Sequence, residues 1–337
     1  MKAAQAMSVR RHPLLIPALI LLMLIAALGS VTLGAVPLSP ERILAVLTGG
    51  GDDVARAILI DLRLPRMLLG LIVGAMLGLA GAALQGYLRN PLAEPSVLGA
   101  SNAAALGAVC ALYFGLAQVH PLALPALAIL ISLIGIGALF LLAGPAESPL
   151  TLILAGIAIA TLAGAGISLS LNLSPNPFAA MEIMSWLMGS LENRAYSHVW
   201  IALPCVAVGA ALLIADGRTL DALTLGEDGA QALGIDLRRA RIRLMLGVAI
   251  GVGGAVAVSG AIGFVGLIVP HLVRPLTDRS PSAILLPSML GGAALLTLAD
   301  IGVRLIPTSS ELKLGVLTAL LGVPVFLIHL MRERRLW

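Results

Sequence analysis

Residues 67–87 read MLLGLIVGAMLGLAGAALQGY, twenty-one positions without one charged side chain. Wound as a helix at about 1.5 Å per residue, the stretch is about 31 Å long, the thickness of bilayer hydrocarbon. Similar apolar runs recur down all 337 residues. Apolar residues make up 59% of the chain and charged residues 11%, and mean hydropathy is +1.04. A soluble domain with so little polar surface is excluded. A barrel would need two-residue alternation and aromatic girdles, whereas eleven residues are aromatic and Leu, Ala, Gly and Ile dominate. The fold class is therefore all-α, a polytopic membrane protein with one transmembrane domain over 1–337.

Breaks at Pro, Gly and charge divide the chain into about ten transmembrane helices: 14–35, 67–87, 97–117, 121–143, 150–171, 198–216, 243–260, 262–274, 283–302 and 314–331. The first run follows Arg10 and Arg11 as a signal peptide would, and is read as an uncleaved span. The seventh and eighth share one apolar run that turns at Ser259 and Gly260. An even count puts both termini on one side. Taking that side as cytoplasmic gives it fourteen of the twenty-one basic residues: Lys2, Arg10, Arg11, Arg89, Arg218, Arg238, Arg239, Arg241, Arg243, Arg274, Arg279, Arg332, Arg334 and Arg335. The other face keeps Arg42, Arg56, Arg63, Arg66, Arg194, Arg304 and Lys313.

Gly70, Gly74, Gly78 and Gly81 on the second span, and Gly247, Gly251 and Gly254 on the seventh, have the spacing that lets helix backbones approach closely. Both spans are expected at the centre of the bundle, their glycines serving packing rather than substrate. Cys110 and Cys205 lie in apolar runs and imply no disulfide.

Absences decide the energy source. Of two lysines, Lys2 and Lys313, neither ends a phosphate-binding glycine loop. Glu94, Glu147, Asp216 and Asp300 fall near span ends, so no deep carboxylate offers ion coupling. The five histidines show no HExxH spacing, and no GxSxG elbow is present. No catalytic or metal-ligating set, no bound cofactor and no nucleic-acid partner is expected. His271, after Pro270, suits a helix C-terminus. The chain is not an enzyme, and its energy comes from a partner or its transport is passive. An ion-coupled secondary transporter or a channel is the alternative, and an intramembrane enzyme ranks third.

Two polar stretches interrupt the apolar pattern. Residues 217–243, GRTLDALTLGEDGAQALGIDLRRARIR, hold five arginines and read as short helices at the cytoplasmic face, punctuated by Gly226 and Gly234. Residues 172–195, with Pro175, Pro177 and an amphipathic piece around Met184, Trp186 and Met188, read as an outer re-entrant or gate segment anchored by Trp186. Asp300 and Arg304 are spaced to pair on one helix face. For Arg63, Arg66 and Arg304, snorkelling to lipid headgroups is the plainer explanation, and docking of an acidic partner the sharper one.

Several segments together resemble one family: LRLPR (62–66), VGAMLGLAGAALQGYLRNPLAEPSVLGASNAA (73–104), LILAGIAIA (152–160), SWLMGS (185–190), LTLGEDGAQALGI (223–235), SGAIGFVGLIVPHLVR (259–274), ADIGVR (299–304) and ELKLGVLTALLGVPVF (311–326). The order and spacing of RNPLAEP (Arg89, Asn90, Pro91), the LGE loop and GFVGLIVPH (Pro270, His271) are those of FecCD-type permease subunits, which serve ABC importers for ferric siderophores, haem and vitamin B12. The resemblance implies a ten-span inner-membrane permease forming a homodimer around a substrate path lined by the fifth and tenth spans. It assigns Leu225, Gly226, Glu227, Gly234, Arg238 and Arg239 to coupling with a cytoplasmic ATPase, which uses the ATP. It assigns Arg63, Arg66 and Arg304 to docking of a periplasmic binding protein. The expected cargo is a metal chelate, a ferric siderophore first, then haem or cobalamin, moved by alternating access. Two departures stand out. Glu311, Leu312, Lys313, Leu314, Gly315 replace the family's ELPxG, and Ser148, Pro149, Leu150 make the inner constriction more apolar.

Overall fold

The computed structural model describes residues 13–34, 36–144, 149–307 and 311–333, which are helical wherever they are regular, with no strand among them. Along the chain run α1 (Leu15–Thr32), α2 (Pro40–Leu47), α3 (Asp53–Arg56), a π segment (Ala57–Arg63) continuous with α4 (Leu64–Leu88), α5 (Ala100–Tyr113), α6 (Leu116–Val119), α7 (Ala123–Ala143) and α8 (Pro149–Asn172). There follow α9 (Pro177–Leu187), α10 (Tyr196–Ala215), α11 (Gly217–Leu223), α12 (Glu227–Ala232), α13 (Leu237–Ser259), α14 (Val265–Val273), α15 (Pro281–Leu305) and α16 (Leu314–Glu333).

Among the described residues, seven helices are long and apolar enough to cross a membrane: α1, the continuous 53–88 helix, α7, α8, α10, α13 and α15. Three shorter apolar helices, Ala100–Tyr113, Val265–Leu276 and Leu314–Pro324, fall on the remaining three runs. Two of these runs are shortened because part of each is not helical. Left-handed Gly99 and Gly115 bracket α5, and Gly260 to Phe264 form a non-helical link between α13 and α14. That link begins at the turn expected at Ser259 and Gly260. Lys2, Arg10, Arg11, Glu147, Ser148, Arg334 and Arg335 lie outside the described residues.

The two glycine-rich spans are central. In both α4 and α13, 78% of the apolar window is buried, against 11% in α1 and 28% in α7 and α8. Glycine makes this possible. A Cβ added at Gly74 would fall on the Gly292 carbonyl oxygen, and one at Gly78 on that of Ser288, so α4 and α15 pack backbone to backbone. Gly81 meets Gly266 of α14, and Gly209 of α10 meets Gly251 of α13 in the same way. Without a hydrophobic drive between helices in lipid, such close packing supplies the cohesion.

Folding the chain this way sorts the described basic residues onto opposite ends. The end of α1, the start of α4, the α9–α10 loop, the end of α15 and the start of α16 meet at one end, bringing Arg63, Arg66, Arg194, Arg304 and Lys313 together. The ends of α4 and α10, the short α11 and α12, the start of α13 and the α14–α15 turn meet at the other. Between them lies α4, about 37 Å long for its 25 residues.

Candidate functional site

At the first end, Arg63 and Arg66 are brought to different tasks. Arg63 closes the π segment, and its Nη1 donates to the carbonyls of Val31 and Thr32, each at 2.8 Å, while Nη2 donates to that of Val36. It thereby satisfies orphan carbonyls at the end of α1. Arg66 lies between two carboxylates: Nε donates to Asp300 at 3.0 Å, Nη1 to Glu311 at 3.0 Å, and Nη2 to both. Arg304 pairs with Asp300, one turn earlier, at 3.2 Å and donates to the Ser30 carbonyl and hydroxyl at 3.0 and 2.7 Å.

Asp300 is therefore a buried carboxylate held by two guanidinium groups, the arrangement that makes burial of charge tolerable. The i,i+4 pair is as expected. Headgroup snorkelling is not: the side chains of Arg66 and Arg304 are only 11% and 7% exposed and turn inward, because α1, α15 and Glu311 before α16 offer them carbonyls and carboxylates at closer reach. Beside them opens a cavity of about 640 Å³ lined by Arg63, Arg66, Arg304, Arg194, Glu192 and Glu311. Arg194, in the α9–α10 loop, is held below the usual guanidinium range by burial, partly offset by Glu192. Lys313, the departure before α16, lies 3.1 Å from Glu192, so it ties α16 to that loop. Within 172–195, the segment expected as a gate, residues 177–187 form α9, with Ile183 buried.

At the opposite end, α11 and α12 are bound down on one side and bare on the other. Asp221 of α11 accepts from the Ser282 backbone N–H at 2.9 Å and its hydroxyl at 2.6 Å, capping α15 from another helix, while the hydroxyl of Ser280, the N-cap residue, donates to Asp278 at 2.7 Å instead of capping. Buried Asp216 pairs with Arg243, joining the end of α10 to the start of α13, and Arg241 Nε donates to the Tyr87 hydroxyl at 2.6 Å, joining α13 to α4. Leu220 and Leu223 are buried.

The outer side shows Leu225 at 69% exposure and Leu233 at 63%, two apolar knobs on an otherwise polar segment. Gly226 and Gly234 have φ of 90° and 82°, and make the turns on either side of α12, whose first turn carries Glu227. Arg238 and Arg239 are exposed at the start of α13, Arg239 pairing with Asp236 at 3.0 Å. Nearby, Arg89 ends α4 in the left-handed region, Asn90 accepts from the Leu92 N–H at 2.9 Å to shape the turn, Pro270 is buried in α14, and His271 sits in its last turn.

The structure joins Arg66, Arg304 and Asp300 in one network and holds Leu225, Gly226, Glu227, Gly234, Arg238 and Arg239, the residues expected to couple, in one segment at the opposite end. Sequence reasoning missed Glu311 as the second partner of Arg66, Leu233 as a knob, and the Asp221–Ser282, Arg241–Tyr87 and Arg243–Asp216 ties.

Comparison with known proteins agrees with this architecture. A family model described as the FecCD transport family matches residues 20–332. The hemin transport system permease protein HmuU of Yersinia pestis is 39% identical over 94% of this chain and 95% of its own length. The vitamin B12 import system permease protein BtuC of Vibrio cholerae is 43% identical over 81% of this chain and 82% of its own. A solved inward-facing structure, described as a metal-chelate type ABC transporter, superposes with a TM-score of 0.86 at 32% identity, covering 95% of this chain and all of the other.

Proposed function

Because the chain belongs to the FecCD transport family, a multi-pass permease of the ABC importer type in the bacterial inner membrane, we propose that it moves a metal chelate from periplasm to cytoplasm as a homodimer with both termini in the cytoplasm. A separate ATPase hydrolyses the ATP, and a periplasmic binding protein delivers the cargo. The observation that carries this reading is the build of 217–243: exposed leucine knobs on a segment tied by an ionic contact and hydrogen bonds to α4, the end of α10 and α15. Such a segment hands force to the bundle rather than absorbing it, because each tie ends on a different long helix.

Coupling then runs as follows. The ATPase grips Leu225 and its flanking residues Gly226, Glu227, Gly234, Arg238 and Arg239. Closure of two ATPases on two copies displaces α11 and α12, and the Asp221 cap carries the displacement into α15, which is seamed to α4. The opposite end of α15 bears Arg304 and Asp300, so the motion reaches the face on which a binding protein would dock through Arg63, Arg66 and Arg304. A glutamate of that protein competes with Asp300 and Glu311 for the arginines, which links docking to the state of the gate. The bare apolar faces of α8 (Leu154, Ile157, Leu162) and α16 (Leu320, Leu321) suit the substrate path and the dimer contact.

Relatives named for hemin and vitamin B12 support a large metal-bearing cargo, with a ferric siderophore the first candidate to assay. The test is uptake by proteoliposomes holding the permease. Import that requires ATP, the ATPase subunit and the binding protein is expected, with no hydrolysis by the permease alone. Uptake driven by a proton or sodium gradient without ATP overturns the proposal.

A further inference from the structure

Beside the coupling segment lies a second polar cavity, of about 320 Å³, at the end of the bundle opposite the Asp300 network. Arg89, Arg274 and Arg279 line it together with Gln85, Asn90 and Thr224, and no carboxylate is among its lining residues. Arg274 is set in place by the buried Gln85, whose Oε1 accepts from its Nη2 at 2.8 Å while the Gln85 amide contacts the Gly266 and Leu267 carbonyls at 3.3 and 3.4 Å. Arg89 and Arg279 have no ion-pair partner among the described residues.

Backbone conformation sharpens the point. Arg89 and Arg279 have φ of 49° and 64°, the left-handed region where glycine fits and arginine is strained. The other arginines at this end are ordinary helical residues. The exposed Arg89 and Arg279, without ion-pair partners among the described residues, add their charge to that of Arg274 at one cavity, and phosphate oxygens match the guanidinium fork.

We propose that Arg89, Arg274 and Arg279 form a binding site for a phosphate group, supplied by an anionic phospholipid headgroup or by a soluble phosphate. Its occupant bridges the end of α4, the α14–α15 turn and Thr224, the residue next to the Leu225 knob, and so stiffens the base of the coupling segment. The site is independent of the cargo and of the ATPase.

The experiment uses the full-length permease in nanodiscs and reads its melting temperature and, by native mass spectrometry, retained lipid. One arm uses phosphatidylcholine alone with inorganic phosphate against chloride at equal ionic strength. The other adds phosphatidylglycerol and omits phosphate. A stabilising shift in the first arm identifies a soluble phosphate, and in the second a lipid headgroup. The Arg89→Gly/Arg279→Gly variant should bind at least tenfold more weakly yet melt, without ligand, no lower than the wild type, since glycine relieves both strained turns. Arg279→Gly alone should lose part of the shift, and Arg56→Gln, an exposed charge at the far end, none. No shift in either arm, or the same shift in the double glycine variant, overturns the proposal. So does stabilisation of the wild type that appears only with the ATPase, which assigns the arginines to an acidic protein surface.

Discussion

Asp221→Ala cuts the side-chain hydrogen bonds that tie α11 to α15. It removes a cap on the Ser282 N–H, worth about 1 kcal/mol, and a charge-assisted bond from the Ser282 hydroxyl, worth about 1.5–3 kcal/mol. Their sum, about 3 kcal/mol, is roughly two factors of ten in the ratio of attached to detached α11. Leu220 and Leu223 stay buried, so the helix should remain folded and lose its grip. In proteoliposomes carrying permease, ATPase and binding protein, hydrolysis should continue while chelate delivered per ATP falls severalfold or more. Ser282→Ala keeps the backbone donor and should give a smaller loss, and the double variant should be little worse than Asp221→Ala, because both remove the same contact. An Asp221→Ala permease that melts like the wild type and moves as much chelate per ATP would refute force transmission through this cap.

Arg66→Ala leaves Asp300 and Glu311 facing each other without their shared cation and should destabilise the chain by about 3–5 kcal/mol, read as a lowered melting temperature; wild-type melting would remove the network from the stabilising contacts. Gly78→Leu drives a side chain into the Ser288 carbonyl and should cost more than the ~1–3 kcal/mol of ordinary overpacking, giving little monodisperse protein on size exclusion, whereas Gly137→Leu, with open space at its Cβ, should purify normally. Leu225→Ser with Leu233→Ser changes exposed positions, so melting should be unchanged while ATPase association weakens at least tenfold in a titration; unchanged association discards the knobs. Lys313→Ala opens the tie to Glu192, and if the tie holds the outer gate the variant should shift a fluorescence distance between α9 and α16, with no shift refuting the latch.

Much of this architecture was legible in the chain. Ten apolar runs were read and each holds an apolar helix, since length and hydropathy alone decide whether a segment can satisfy its backbone in lipid. The glycine ladders named the central helices for a similar reason: small residues matter only where backbones meet. What stayed hidden depends on contacts between distant positions. Arg66 and Glu311 are 245 residues apart and Asp221 and Ser282 61 apart, and neither pair leaves a local pattern. The inward turn of the three arginines was hidden for the same reason. Periodicity also overlooked α2 and α6, pieces of eight residues or fewer that tertiary packing rather than propensity sustains, and the extension of the second span back to Asp53.

The wide π turn at 57–63 has a further consequence for how this region tolerates changes of length. A π turn spends one residue more than an α turn on the same rotation, so deleting a residue there lets the helix tighten while the turns on either side keep their faces. Ala55 would stay in the small cluster it shares with Val46, and Arg63 would keep the carbonyls that finish α1. Homologous chains that differ in length at this rim should therefore gain or lose a residue within 57–63 as readily as in 48–52, the loop before α3.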